Sequence, residues 1–154
     1  MKSDRPQPTM MSPAEAFPNL QAVDRERKPV QLPEAFLGKR TILFIAFHAK
    51  ALSMIESWLA AFGEKFAGRR DLKHFILLAP AKAVQDDAFE PIRKINSALV
   101  VEGAPDSLKR FVAFQQPETP YVVVLSDKGI LAFLASGEPG KNTWARFTRV
   151  LEPA

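Results

Sequence analysis

The residues of this chain best equipped for chemistry gather at one turn, His48-Ala49-Lys50-Ala51, with Ser53 just beyond it. Histidine changes charge near neutral pH and can serve as acid, base or ligand. A lysine beside the first turn of a helix can hold an anion, because unpaired backbone N–H groups converge there. Catalysis at His48 would need an acid or a second base at hand, and no such residue stands near it in sequence. Ser53 lacks a base for the same reason and reads as a hydroxyl in a first helical turn rather than a nucleophile. His74 precedes an apolar run and reads as an edge residue. Two histidines so far apart, with scattered carboxylates, are a poor start for a metal site. Trp58, Phe62, Trp144 and Phe147 recur at helical spacing as core residues do, so no cofactor is expected.

One absence outweighs these candidates: the chain contains no cysteine. Disulfides, thiolate metal sites and thiol redox chemistry are therefore outside its reach.

The elements that must position the turn follow from hydropathy. With 154 residues, 47% hydrophobic and 25% charged, the composition is that of one soluble domain. Residues 1–15, polar and proline-bearing, predict a flexible arm, and residues 16–154 a single domain. No apolar stretch has the length of a membrane span, and Met1 to Glu15 carries proline and charge where a signal peptide needs an apolar core, which points to a cytoplasmic protein. The net charge of +4 includes a patch at Lys65, Arg69, Arg70 and Lys73. Without interleaved aromatics this patch reads as a solvated face, and no nucleic-acid partner is expected. A pI near 9.5 allows an acidic partner, a membrane surface or a membrane complex. Nothing in the sequence specifies an oligomeric state.

Thr41 to Phe47 is a continuous apolar run, too short to cross a membrane, and predicts a strand buried on both faces. Leu52, Ile55, Trp58, Leu59, Phe62 and Phe66 then recur every three or four residues, the stripe of an amphipathic helix. Upstream, Phe17 to Asp24 and Pro29 to Leu32 flank a charged turn and predict a small hairpin, and Pro33 to Lys39 a single helical turn closed by Gly38. Downstream, His74 to Ala79 predicts a second buried strand, parallel to the first because a helix separates them. Residues 81–97 show helical spacing broken by Pro91, and Leu99-Val100-Val101 a short strand. Asp106 reads as the cap of a helix through Phe114. Tyr121 to Leu125 and Ile130 to Ala135 flank Ser126-Asp127-Lys128-Gly129 as an antiparallel hairpin, and Thr143 as the cap of a last helix that buries Trp144, Phe147, Val150 and Leu151.

A parallel pair with a crossover helix, then a hairpin and a helix, is the arrangement of the thioredoxin fold, an α/β architecture with a mixed central sheet flanked by helices. Phe44-Ile45-Ala46-Phe47-His48-Ala49-Lys50-Ala51-Leu52 resembles the active-site segment of the thioredoxin-like superfamily. Glu118-Thr119-Pro120-Tyr121 through Gly129 is similar to that superfamily's cis-proline strand and hairpin. The front piece, Phe17-Pro18 through Leu32-Pro33, is similar to the extension of the peroxiredoxin and cytochrome-maturation branches, so the resemblance spans residues 16–151. Within the superfamily, Phe17-Pro18-Asn19-Leu20 with Leu32-Pro33, and Ile45-Ala46-Phe47 leading to Glu56-Ser57-Trp58, resemble the mitochondrial ATP-synthase assembly factor family and its bacterial relatives. Residues 81–97 depart from that pattern.

The resemblance places the two cysteines of the CxxC motif at Ala49 and Leu52, or, slipped by one, at Lys50 and Ser53, and the buried proton-transfer acid at Leu43. None of these can do the family's chemistry, since thiol exchange and peroxide reduction both need a thiolate. What the resemblance leaves is a cis Thr119-Pro120 bond facing the turn and presenting backbone to an extended partner chain. The expected function is that of a non-catalytic protein-binding, assembly or adaptor module, whose surface comprises His48, Ala49, Lys50, Ala51, Thr119, Pro120 and Tyr121. The alternatives are an enzyme with non-thiol chemistry at the His48–Lys50 turn and a purely structural domain.

Overall fold

A computed structural model describes residues 15–24, 26–66, 68–79, 98–101, 105–116 and 118–152. In chain order the elements are β1 (Leu20–Val23), β2 (Pro29–Leu32), β3 (Arg40–Ala46), α1 (Leu52–Phe66), β4 (Leu72–Leu78), β5 (Ala98–Val100), α2 (Asp106–Phe111), β6 (Tyr121–Leu125), β7 (Leu131–Ser136) and α3 (Lys141–Leu151). The strands form a single seven-stranded sheet in the order β2-β1-β5-β4-β3-β6-β7.

β3 is central because its sequence can be buried on both sides. It runs parallel to β4, with Arg40 opposite Leu72 and Ala46 opposite Leu78, and antiparallel to β6, with Thr41 opposite Leu125 and Ile45 opposite Tyr121. Side chains alternate across the pleat. Ile42, Phe44 and Ala46 join Ile76, Leu78, Val122 and Val124 under α1 and α3. Leu43, Ile45 and Phe47 join Leu77, Val123 and Leu125 on the opposite face, beneath Phe17, Phe36 and α2. Each fully buried aliphatic or aromatic side chain of this run stabilises the fold by about 1.5–3 kcal/mol.

α1 forms where the apolar stripe predicts it, with Ile55, Trp58, Phe62 and Phe66 buried against the sheet. α3 packs on the same face through Phe147 and Leu151, and Trp58 and Phe147 meet edge to face at 5.2 Å. The end of α3 is held by cations, which suit the partial negative charge of a helix C-terminus. Arg40 donates to Val150 O at 2.9 Å and Arg69 to Leu151 O at 3.0 Å. Arg69 also grips Asp71 through two bonds of 2.7 Å. Lys73 donates to the carbonyls of Ala35 and Leu37. In the basic patch, Arg69 and Lys73 thus have structural duties.

The hairpin β1–β2, the single turn at Glu34–Phe36, the parallel β3–β4 pair and the antiparallel β6–β7 pair are as the sequence implies. β4 begins two residues before the expected His74, because the ladder with β3 extends to Leu72. β5 joins β4 in parallel. Three details differ. Asp106 is the first residue of α2 rather than its cap, since Leu108 and Lys109 both direct their N–H groups to Pro105 O. That helix stops at Phe111, short of Phe114, as Ala113 turns to φ 55°. α3 starts ahead of Thr143, at Lys141, because Trp144 N–H reaches back to Gly140 O at 2.7 Å. Of the expected arm over residues 1–15, residues 1–14 lie outside the described residues, as does the broken helix at 81–97, while Glu15 already accepts the N–H of Leu131 at 2.8 Å.

Candidate functional site

The turn after β3 and the segment before β6 meet because those strands are antiparallel neighbours: Ile45 opposes Tyr121, so β3 ends where β6 begins. The chain leaves β3 through Phe47 and His48 and turns once, at Ala49–Ala51, before α1. His48 is exposed, and its ring Nδ1 accepts the N–H of Lys50 at 3.0 Å, which fixes the neutral ring's proton on Nε2. Ala51 N–H donates to His48 O at 3.0 Å. These bonds use donors that the start of a helix would otherwise leave unpaired.

Lys50 reaches across to the other segment, where its Nζ lies 3.5 Å from Glu118 Oε2. Both side chains are more than half exposed, so the pair is worth a few tenths of a kcal/mol and is readily exchanged for other partners. Thr119 is half-buried and Pro120 buried. Pro120 O accepts the N–H of Gly137 at 3.0 Å, and Gly137 O accepts the indole N–H of the buried Trp58 at 2.8 Å. Gly137 has φ +89°, where a residue with a Cβ would be strained. Helix α1 thus supports Pro120 through one glycine.

Tyr121 lies under this surface, not on it. Its side chain is 3% exposed, and its hydroxyl accepts the N–H groups of Gln115 and Gln116 while donating to Gln116 O. Phe47, Phe114 and Tyr121 form an aromatic trio with centroids 4.8–6.0 Å apart, the foundation of the 115–120 loop. Ala51 is likewise fully buried. The structure therefore brings His48, Lys50 and Thr119 together at the surface, with Pro120, Tyr121 and Ala51 packed behind. Sequence reasoning gave no role to Glu118, Gly137 or the Trp58 indole. The only available signals were a carboxylate two residues before a proline and a glycine just past a strand.

The expected cis bond at Thr119-Pro120 is corrected. Among the described residues the cis X–Pro peptide is Leu32-Pro33, and Thr119-Pro120 is trans. Trans is the ordinary preference of an X–Pro bond, and a proline just ahead of a strand costs no ladder hydrogen bond. Pro33 lies at the other end of the sheet, against Gly129 of the β6–β7 turn.

His74 stands beside Ile42 on β4, its ring 5.2 Å from that of Phe62. The residue is exposed, and desolvation of the ring where it lies against Phe62 disfavours the imidazolium and lowers its pKa. His48 follows the far end of β3, so the two histidines are not brought together. Leu43, where the resemblance places a buried acid, is a fully buried core residue. Among the described residues no three His, Asp or Glu side chains cluster to hold a metal ion.

Solved structures share this architecture. The fold is thioredoxin-like. A thiol-disulfide oxidoreductase from Bacteroides fragilis superposes with TM-score 0.59 at 14% identity, covering 88% of this chain and 99% of its own. Yeast Sco1 with copper bound gives 0.58 at 14%, covering 93% and 96%. BsSco, of the Sco family of cytochrome c oxidase assembly proteins, gives 0.59 at 10%, covering 90% and 92%. No protein-family model and no curated protein matches the chain. Within the thioredoxin-like frame, Ala49 and Leu52 occupy the turn and the first residue of α1, where the resemblance puts the CxxC thiols. With no thiol anywhere, this chain cannot carry out thiol–disulfide exchange.

Proposed function

We propose that this thioredoxin-like chain is a non-catalytic binding module, of assembly-factor or adaptor type, that receives an extended segment of another protein on the face formed by His48, Lys50, Glu118 and Thr119, with Pro120, Tyr121 and Ala51 packed behind it. The observation that carries this reading is the Lys50–Glu118 pair, which spans the two segments with charges exposed and exchangeable. The surface is pre-formed, because buried aromatics and the Trp58–Gly137–Pro120 chain of hydrogen bonds set its floor. Fold likeness to a family described as cytochrome c oxidase assembly proteins supports an assembly role by analogy. So does the resemblance of residues 17–33 and 45–58 to the ATP-synthase assembly factor family. A partner belonging to a membrane complex is compatible with the pI of 9.5, and a cytoplasmic location with the absence of any described helix able to cross a membrane.

Affinity co-purification with mass spectrometry tests it. Partners recovered with the wild-type chain should be lost with Lys50→Glu plus Thr119→Arg and kept with His74→Ala. Equal recovery by all three would overturn the reading. The alternative, non-thiol chemistry at the His48–Lys50 turn, draws on the ring of His48, which keeps Nε2 directed away from its own turn. Any activity unchanged in His48→Ala removes that version.

A further inference from the structure

The outer face of α3 carries charge where a helix gains nothing from it. A helix turns about 100° per residue, so Lys141, Asn142, Ala145, Arg146 and Arg149 share one arc of about 140°. All five are exposed, while Phe147 and Leu151 are buried on the other side. This face holds cations and no carboxylate. Lys141 is the first residue of the helix, where the positive end of the dipole repels a cation, and no acid stands in the first turn to offset it. Arg146 and Arg149 are three residues apart and so are neighbours on the helix surface, where like charges destabilise. The ion pairs of the described residues, Lys28–Glu26, Lys50–Glu118 and Arg69–Asp71, include none of these cations. Charge set against the local interest of a fold is expected where a function uses it.

The surroundings add to the field. Arg69 reaches Leu151 O, and Phe66 packs against Trp144 at 6.5 Å, so Lys65 and Arg70, both exposed, lie near the same helix. Of the carboxylates close by, Asp71 is held by Arg69, and Glu64, Glu138 and Glu152 are outnumbered by Lys65, Arg70, Lys141, Arg146 and Arg149.

We propose that α3 seats this chain on an anionic lipid surface, with Arg146 and Arg149 on headgroup phosphates, which the planar fork of arginine matches. A protein partner would bury an apolar centre depleted of charge, and Ala145 is the only apolar side chain of this face. A nucleic-acid strand would call for aromatic side chains facing its bases, and the face has none. A fluid lipid surface supplies phosphates wherever the cations stand. Trp144, half-buried next to this arc, is of the type suited to the boundary between water and lipid. The face shares no residue with the surface at His48 and Thr119, so the two can be occupied together.

Co-sedimentation of the full chain with lipid vesicles tests this. Vesicles of phosphatidylcholine with about 30% phosphatidylglycerol are expected to bind the wild-type chain on the order of 100-fold more strongly than pure phosphatidylcholine. Raising the salt from about 0.05 M to about 0.5 M is expected to abolish the difference. Arg146→Glu with Arg149→Glu is expected to lose the preference with an unchanged circular dichroism spectrum. Arg27→Glu with Lys28→Glu makes the same change of net charge on the β1–β2 turn, at the opposite edge of the sheet, and is expected to keep it. No preference in the wild type, a preference kept by the α3 variant, or one lost equally in both variants overturns the proposal. So does binding of a DNA duplex by a chain that ignores the vesicles.

Discussion

Asp71 shows how little sequence says about a single charge. It sits beside Arg69, whose two guanidinium hydrogen bonds lower its carboxyl pKa to about 2. An acid whose pKa is depressed on folding adds stability above its unfolded value, and the gain is lost as pH falls through the folded one. The melting temperature of wild type should therefore exceed that of Asp71→Asn at pH 5, with the gap closing between about pH 4 and pH 2; a gap that does not change with pH would contradict this. His74 works in the opposite direction. Its pKa is lowered from 6.5 by desolvation where the exposed ring rests against Phe62, so below that pH the unfolded chain takes up a proton that the fold resists. Urea unfolding at pH 7.5 and 5.5 should show wild type losing stability on acidification, and His74→Gln losing less.

At the scale of elements, the link from α1 to the candidate site is one indole. Trp58→Phe keeps most of the packing but leaves Gly137 O without its donor, and should cost about 1–3 kcal/mol in urea unfolding. Hydrogen exchange at Gly137, whose N–H is bonded to Pro120 O, should quicken in that variant more than exchange in β4. This link was not legible in the sequence, although the elements it joins were. The run from Thr41 to Phe47 and the stripe from Ile55 to Phe66 could each be read from periodicity, because burial on both faces or on one leaves a pattern in the chain itself. Helix starts were misplaced at Asp106 and Thr143, since the N-cap positions are held by Pro105 and Gly140, which make no side-chain cap hydrogen bond and so leave no polar residue to mark the start. The meeting of the turn with the 118–120 segment followed from topology. Glu118 as the partner of Lys50 did not, because a surface ion pair between residues 68 positions apart depends on loop conformation alone.

At the largest scale, the sheet divides the interior formed by the described residues into two separate cores, one containing Phe36 and Leu43, the other Trp58 and Phe147. Residues on opposite faces share no packing partners, so their losses should add. Phe17→Leu and Phe147→Leu are each expected to cost about 1–3 kcal/mol, and the double variant the sum to within about 0.5 kcal/mol. A marked shortfall in urea unfolding would mean that strain passes through the strands. The pair formed by Lys50 and Glu118 has one more use. Both side chains are exposed, and the chain has no native thiol to compete for a maleimide or a spin label. Cysteines introduced at exposed positions beside the pair, with Lys50 and Glu118 themselves kept, would carry probes without background, so distances between labels would report whether the two segments move apart.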